Sequence, residues 1–267
     1  MSSSPARKIK LKPQIDINCD LGESYGAFKI GNDQKVMPHI TSANIACGFH
    51  GGDPVTIAQT IGLGKKLNIA IGAHPSFPDL MGFGRREMRL APDELKNCTI
   101  YQVSVLQGFA RAAGVKLQHV KPHGALYNMA AEDEKTSETI VDAVKTLDSS
   151  LIIFAPPDSA LAKAAIKARI RVAHEFFADR AYNSDGSLVS RKKPNAIIHD
   201  ARQVVRRTAK MVTEGAVLAL NGESVSLGEI QTVCVHGDNP AAVKLAEALH
   251  KGLMRAGIEV RSVGSFL

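Results

Sequence analysis

Tryptophan is absent from the 267 residues and tyrosine occurs four times. With no aromatic side chains laddered among the basic ones, the net charge of +7 does not describe a nucleic-acid surface. It suits an acidic metabolite or an acidic partner face. No apolar run is long enough to span a bilayer. None of the four cysteines belongs to a C-x-x-C pair, which removes zinc ribbons and dithiol redox motifs from consideration. Cys19, Cys47 and Cys234 fall in the last residues of expected strands, where a small buried thiol is the ordinary role and a nucleophile the lesser alternative. Such thiols fit a reducing cytoplasm. The start, MSSSPARKIKLKP, is basic and serine-containing but has no apolar h-region, so it does not read as a secretory signal. Residues 1–14 are expected to form a disordered tail, with a short transit peptide as the alternative.

What is present suits one large α/β domain over residues 15–267. The apolar content is 45%, enough to bury a substantial core. The most informative stretch is ANIACGFHGGDP, Ala43–Pro54. An apolar run ends there on His50, glycines around it leave room for a small ligand, and Asp53 with Pro54 starts a helix whose free N–H groups point back at the same place. A lone histidine in such a loop is ordinarily a capping residue. Two further strand ends repeat the design, however, at Lys121-Pro122-His123-Gly124 and at His236-Gly237-Asp238-Asn239-Pro240.

In chain order, strands are expected at Ile15–Cys19, in the first part of the His50 stretch with Ile45, Ala46 and Cys47 as its end, and at Ile69–Ala73, Leu117–Val120, Leu151–Ala155, Arg171–Phe177, Thr232–Val235 and Glu259–Val263. Helices are expected over Val55–Lys66, Pro92–Ala113, Asp133–Leu147, Ser159–Ala168, His199–Glu214 and Pro240–Ala256. Val217–Leu220 and Ser224–Leu227 flank Asn221-Gly222, the pair that a type I′ hairpin turn prefers. Asp185-Gly186 marks another tight turn. The segment from Ala178 to His199 has no periodicity; the expectation is a lid, with Arg180 or Arg191 reaching a substrate carboxylate, or else a surface excursion or oligomer contact. Arg202, Arg206, Arg207 and Lys210 read as a solvated helix face.

Alternating strands and helices call for a parallel sheet, and a barrel gathers all its strand ends on one face. Asp20, Glu23, His50, His74, Lys121, His123, Glu175, Asp179, Arg180, His236 and Asp238 all follow apolar strands closely. Most of them are therefore expected to line one pocket.

The motifs DINCDLGESYG, SANIACGFHGGDP, GAHPSFPDLMGFGRREM, VKPHGALYN, EFFADRAY, LVSRKKPNAII and CVHGDNP together resemble the LamB/YcsF family, which supplies the A-type component of ATP-hydrolysing 5-oxoprolinase. The resemblance runs in order from near the start to beyond residue 240. It implies an irregular seven-stranded parallel (β/α) barrel akin to the glycoside hydrolase and deacetylase superfamily. It also implies ATP-dependent cleavage of 5-oxoproline to L-glutamate, carried out with two further subunits. The chain has no G-x-x-x-x-G-K-[ST], so ATP with its magnesium is expected to be bound largely by a partner. Met81–Arg86 offers a weak anion cradle at most. Deacetylases are expected to use Asp with a His-x-x-x-His pair for a metal. Here His74 is followed by Pro75-Ser76-Phe77-Pro78, and a metal is left unassigned, although His50, His74 and an aspartate from separate strands could converge on one.

For lactam opening, the base is sought among Asp20, Glu23 and His123. Oxyanion donors are sought among His50, His236 and loop amides. The substrate carboxylate is expected at Lys121, Arg85 or the helix start at Pro54. His74, Glu175, Asp179, Arg180 and Asp238 are expected to complete the pocket. Two rival readings are a metal-dependent carbohydrate or amide deacetylase acting alone and a non-catalytic lactam- or sugar-binding module.

Overall fold

The computed structural model describes residues 12–190, 193–235 and 241–267. Arg191, His236 and Asp238 lie outside the described residues. The chain runs β1 Gln14–Leu21, α1 Asp33–Val36, β2 Ser42–Ala46, α2 Pro54–Leu67, β3 Ala70–His74, α3 Pro92–Ala112, β4 Leu117–Val120, α4 Gly124–Glu132 and α5 Glu134–Leu147. It continues with β5 Ile152–Ala155, α6 Ala160–Lys167, β6 Arg171–Phe177, α7 Ala201–Glu214, β7 Ala216–Leu218, β8 Ser224–Ser226, β9 Thr232–Val235, α8 Ala242–Arg255 and β10 Glu259–Val260.

Strands β1 to β6 pair in sequence, all parallel, and β9 bonds both β6 and β1, closing a seven-stranded barrel. β10 adds to the start of β1, and β7 with β8 forms a separate antiparallel ribbon. No helix among the described residues is long and apolar enough to cross a membrane.

The sequence QIDINCDL explains how β1 serves two environments. Ile15, Ile17, Cys19 and Leu21 join the apolar core, while Asp16, Asn18 and Asp20, on the other face of the strand, enter a hydrogen-bonded polar network. Strands of a parallel sheet usually read as continuous apolar runs. This one alternates because the barrel interior is polar. The network starts at Asp16, whose carboxylate accepts from the hydroxyls of Ser42 at 2.6 Å and Thr232 at 2.5 Å. Above it, Asn44 Nδ2 donates to Asn18 Oδ1 at 2.7 Å and to Asp20 Oδ1 at 2.8 Å. The His119 ring shares a 2.8 Å bond with Asn44 Oδ1 and stacks flat on Phe154. A Cβ at Gly72 would fall 2.0 Å from that ring, so β3 must be bare there.

The helices form where their ends are satisfied. α2 is capped by Asp53, whose side chain accepts from Thr56 N at 2.8 Å, and ends on Asn68 in the left-handed region. α3 buries Leu95, Thr99, Gln102, Val103, Leu106 and Ala110 at helical spacing. Its Gln102 bonds both the N–H and the carbonyl of Ser76, pinning the loop that leaves β3.

Several expectations are corrected. Asp20 belongs to β1, not to the loop after it. A helix, α4, begins directly after His123 and lacks a side-chain cap that would announce it. The Asn221-Gly222 pair does not make a two-residue turn: Gly222, at φ 87°, closes a turn on Ala219 O, the turn-plus-bulge form of a longer hairpin loop. Arg207 is no solvated residue. Its guanidinium donates to Ala178 O at 2.8 Å and lies over the rings of Phe176 and Tyr182.

Among the described residues, 178–199 contain no helix or strand, yet they are knit together. Ala181 N bonds Ala196 O, Val189 N bonds Ala181 O and Ile198 N bonds Asp179 O. Ala181, Val189 and Ala196 form a small core of their own. Asp185-Gly186 makes the expected turn, with Gly186 at φ 83°.

Candidate active site

Seven of the expected site residues converge at the C-terminal ends of the barrel strands, where parallel barrels carry their chemistry. Asp20 is the next-to-last residue of β1, His74 ends β3, Lys121 and His123 follow β4, and Glu23 and His50 come from the loops after β1 and β2. Glu175 reaches the group from within β6. All seven are buried.

Lys121 is the electrostatic centre. Its ammonium lies 3.0 Å from Asp20 Oδ1 and 2.9 Å from Glu175 Oε1. It also donates to Asn18 Oδ1 and to Cys234 Sγ, at 3.2 and 3.1 Å. Burial alone would depress the lysine, but the field of Asp20, Cys234 and Glu175 outweighs it and holds the ammonium charged well above the usual lysine range. Glu175 accepts further from Asn18 and from the Tyr127 hydroxyl at 2.7 Å. A lysine so enclosed does not serve as the substrate-carboxylate anchor expected from the sequence. It fixes Asp20.

Beside this ion triad sit three histidines. His74 Nδ1 lies 2.6 Å from Lys121 O, and His123 Nε2 lies 2.9 Å from Phe83 O. A carbonyl only accepts, so both of those ring nitrogens carry hydrogen. The opposite nitrogens, His74 Nε2 and His123 Nδ1, face one another at 2.9 Å. His74 Nε2 is also 3.3 Å from Asp20 Oδ2, and His123 Nδ1 is 3.8 Å from Glu23 Oε1. His50 stacks on His123 with 3.8 Å between ring centroids, and its Nε2 is 3.5 Å from Glu23 Oε1. Neither ring nitrogen of His50 finds a hydrogen-bond partner among the described residues. Burial, then the neighbouring histidines, hold His50 and His123 well below the ordinary imidazole range. The ligand atoms of Glu23, His50, His74 and His123 lie within 4.8 Å of one another, the set through which a metal would be held.

The glycine-rich loop covers these rings. Gly84, at φ 64°, leaves space for 2.9 Å approaches of His50 and His123 atoms to where a Cβ would stand, which no other residue would allow. The loop is not an anion cradle. Asp79 accepts from Gly82 N and from Arg86 Nε, both at 2.9 Å, and Gly84 N is bonded to Asp79 O. Arg86 is thereby turned onto its own loop, while Arg85 is exposed and lies over Phe83 beside the histidines. The helix start at Pro54 is likewise occupied, since Asp53 accepts from both Thr56 N and Gly26 N. Arg180 and Asp179 are buried at the root of the excursion after β6. Arg180 donates to Val189 O at 2.6 Å, so it braces the excursion rather than reaching a ligand. A cavity of about 610 Å³ lies away from the histidines, between α7, the β7–β8 ribbon and residues 195–199.

Sequence reasoning overlooked Asn18 and Asn44, which join Glu175 to Asp20, and His119 and Tyr127, which bond Asn44 and Glu175 in turn. The period-two alternation of Asp16, Asn18 and Asp20 was the available signal.

Comparison with known proteins agrees with this arrangement. The LamB/YcsF family model matches residues 15–267. The A component of 5-oxoprolinase from Bacillus subtilis is 50% identical over 250 residues, 94% of this chain and 97% of that one. Its counterpart from Pyrococcus abyssi is 48% identical over 254 residues, 95% and 99% of the two chains. The crystal structure of the lactam utilization protein from Thermus thermophilus superposes with a TM-score of 0.89 at 45% identity, covering 93% of this chain and 99% of that one. A cellobiose-phosphate cleavage protein from Enterococcus faecalis, described as putative, shares the fold at 14% identity and a TM-score of 0.58, covering 96% and 99% of the two chains. With the family model matched over residues 15–267 and relatives 48–50% identical along nearly the whole length, the chain belongs to the LamB/YcsF family.

Proposed function

We propose that this chain is the ring-opening component of an ATP-dependent 5-oxoprolinase, acting with two further subunits in the cytoplasm to release L-glutamate. The observation that carries the reading is the buried Asp20–Lys121–Glu175 triad set against the histidine cluster, in a chain whose relatives bear the name of a 5-oxoprolinase component. Opening the lactam adds water to the carbonyl carbon, breaks the C–N bond and returns a proton to the departing nitrogen. Asp20 is the base. Lys121 and Asn44 hold one of its oxygens, leaving the other directed to the histidines. The histidine cluster borders that second oxygen, with His74 Nε2 3.3 Å from Asp20 Oδ2, and lines the place proposed for the lactam carbonyl. Arg85, exposed beside the cluster, is the cation for the substrate carboxylate.

A five-membered lactam closes readily from glutamate, so coupling to ATP gives the reaction direction: the γ-phosphoryl group passes to the lactam carbonyl oxygen as ADP leaves, and water adding at the activated carbon releases phosphate as the C–N bond breaks. Phosphoryl transfer requires fixed cationic and N–H donors around the triphosphate and a magnesium site. The sequence holds no P-loop, and the amides of residues 82–86 are already bonded within their own loop, to Asp79, Leu80 O and Gly82 O. A partner therefore supplies the nucleotide site. The test is to mix the chain with candidate partner subunits, ATP and 5-oxoproline and to follow glutamate. Release that needs every component is expected. ATP-independent acetate release from an acetylated sugar, or 5-oxoproline binding without turnover in the full mixture, would overturn it.

A further inference from the structure

The arrangement of hydrogens in the histidine cluster leaves a defect that a cation would repair. His74 and His123 each commit one ring nitrogen to a backbone carbonyl, at Lys121 O and Phe83 O. As neutral rings they then present two lone pairs to each other across 2.9 Å, which is repulsive unless something positive lies between or beside them. Metal-binding histidines are commonly oriented in this way, with the outer N–H on a carbonyl and the inner nitrogen bare. The two rings meet nearly at right angles, 86° between planes. Two nitrogens at zinc-like bond lengths of about 2.1 Å stand about 3 Å apart when they subtend a right angle. A carboxylate oxygen, Glu23 Oε1, is 3.8 Å from one of them and 3.5 Å from His50 Nε2. His50 is fully buried with neither nitrogen hydrogen-bonded among the described residues, an arrangement that costs free energy in the absence of a ligand.

We infer that Glu23, His50, His74 and His123 bind one divalent metal ion of the zinc type. Three imidazoles and one carboxylate select borderline ions such as Zn²⁺ or Co²⁺ over the hard, oxygen-seeking Mg²⁺ and Ca²⁺. His74, His123 and Glu23 are already disposed around a common point. His50 lies parallel to His123, 3° between planes, so its ring turns to bring Nε2 in as the fourth ligand. An ion held there would supply Lewis-acid polarisation of a carbonyl oxygen. The inference stands on these side chains and not on the identity of the substrate, so it survives or fails separately from the lactam reading.

The full chain, stripped with a chelator and dialysed against Zn²⁺, is expected to retain one equivalent and to melt at a higher temperature than the stripped protein. Co²⁺ in its place should give visible ligand-field bands that Zn²⁺ abolishes. His123→Ala, and separately the milder Glu23→Gln, should each weaken Zn²⁺ binding by at least about tenfold to a hundredfold, since loss of a mere orienting partner already costs that much. Failure of the chain to bind Zn²⁺ or Co²⁺ stoichiometrically would overturn the inference. Binding undiminished in a folded Glu23→Gln chain would do the same, as would a metal-free proton bridging His74 and His123 in a Zn²⁺-supplemented sample.

Discussion

His119 lies buried between Asn44 and Phe154, and burial pushes its pKa down to about 3. The unfolded chain takes up a proton near the ordinary value of 6.5 while the folded chain does not, so the stability that neutral His119 represents is intact above pH 6.5 and is lost as pH falls toward 3. Asp16 works in the opposite sense. Burial raises it to about 6 against the pull of its hydroxyl donors, so its contribution falls as pH rises from about 4 to 6. One such group changes stability by about 1.4 kcal/mol per pH unit within its window. In urea titrations at several pH values, His119→Gln should therefore flatten the decline of stability between about pH 6.5 and 4. Coincident slopes for the two proteins would show that His119 is not held neutral. Asp20→Asn probes the chemistry. Glu175 remains to balance Lys121, so the fold should survive while reconstituted turnover drops about 10²–10⁴-fold, the range for removing a proton-transfer group. Near-normal glutamate release would exclude Asp20 as the base.

Among the elements, the excursion 178–199 carried three expectations, a lid over the cleft, a surface excursion or an oligomer contact. The structure ties it to the outer layer, through Arg207 of α7 and through Leu220 N on Tyr182 O. Arg207→Ala removes two backbone hydrogen bonds and two cation–π contacts, together worth about 2–3 kcal/mol. Amide exchange across 178–198 should then accelerate while the barrel strands keep their protection. Equal acceleration in β1 and β2 would mean that the excursion is not a separate unit of stability.

For the whole molecule, the closed barrel gathers seven buried ionisable side chains at one end and has, among the described residues, no recognisable nucleotide site. The isolated chain, incubated with ATP and 5-oxoproline, is accordingly expected to release no glutamate above background. Robust ATP-dependent release by this chain alone would contradict the division of labour. The rim loop of Arg85 and Arg86 is the contact we propose for a partner subunit; Arg86 is bound to Asp79, and Arg191 lies outside the described residues. Arg85 and Arg86 are both exposed on the loop that covers the histidines, so the proposed partner contact would share one rim with the site.

The strand–helix alternation, the capping pairs such as Asp53-Pro54 and the arrival of polar residues after apolar strands are local properties, and they indicated a parallel α/β sheet with its polar side chains at one end; its closure as a seven-stranded barrel was implied by the family resemblance. Asp20, Glu23, His50, His74, Lys121, His123 and Glu175 were all legible because each sits within a few residues of a strand end. Their pairings were not legible. Whether Lys121 meets a substrate or an aspartate, whether Arg207 faces water or the rings of Phe176 and Tyr182, and whether two histidines turn their lone pairs toward each other depends on strands that are far apart in sequence and adjacent only once β9 closes on β1. That closure fixes which side chains share the interior, and burial there sets which of them are charged. Only the tertiary structure decides it.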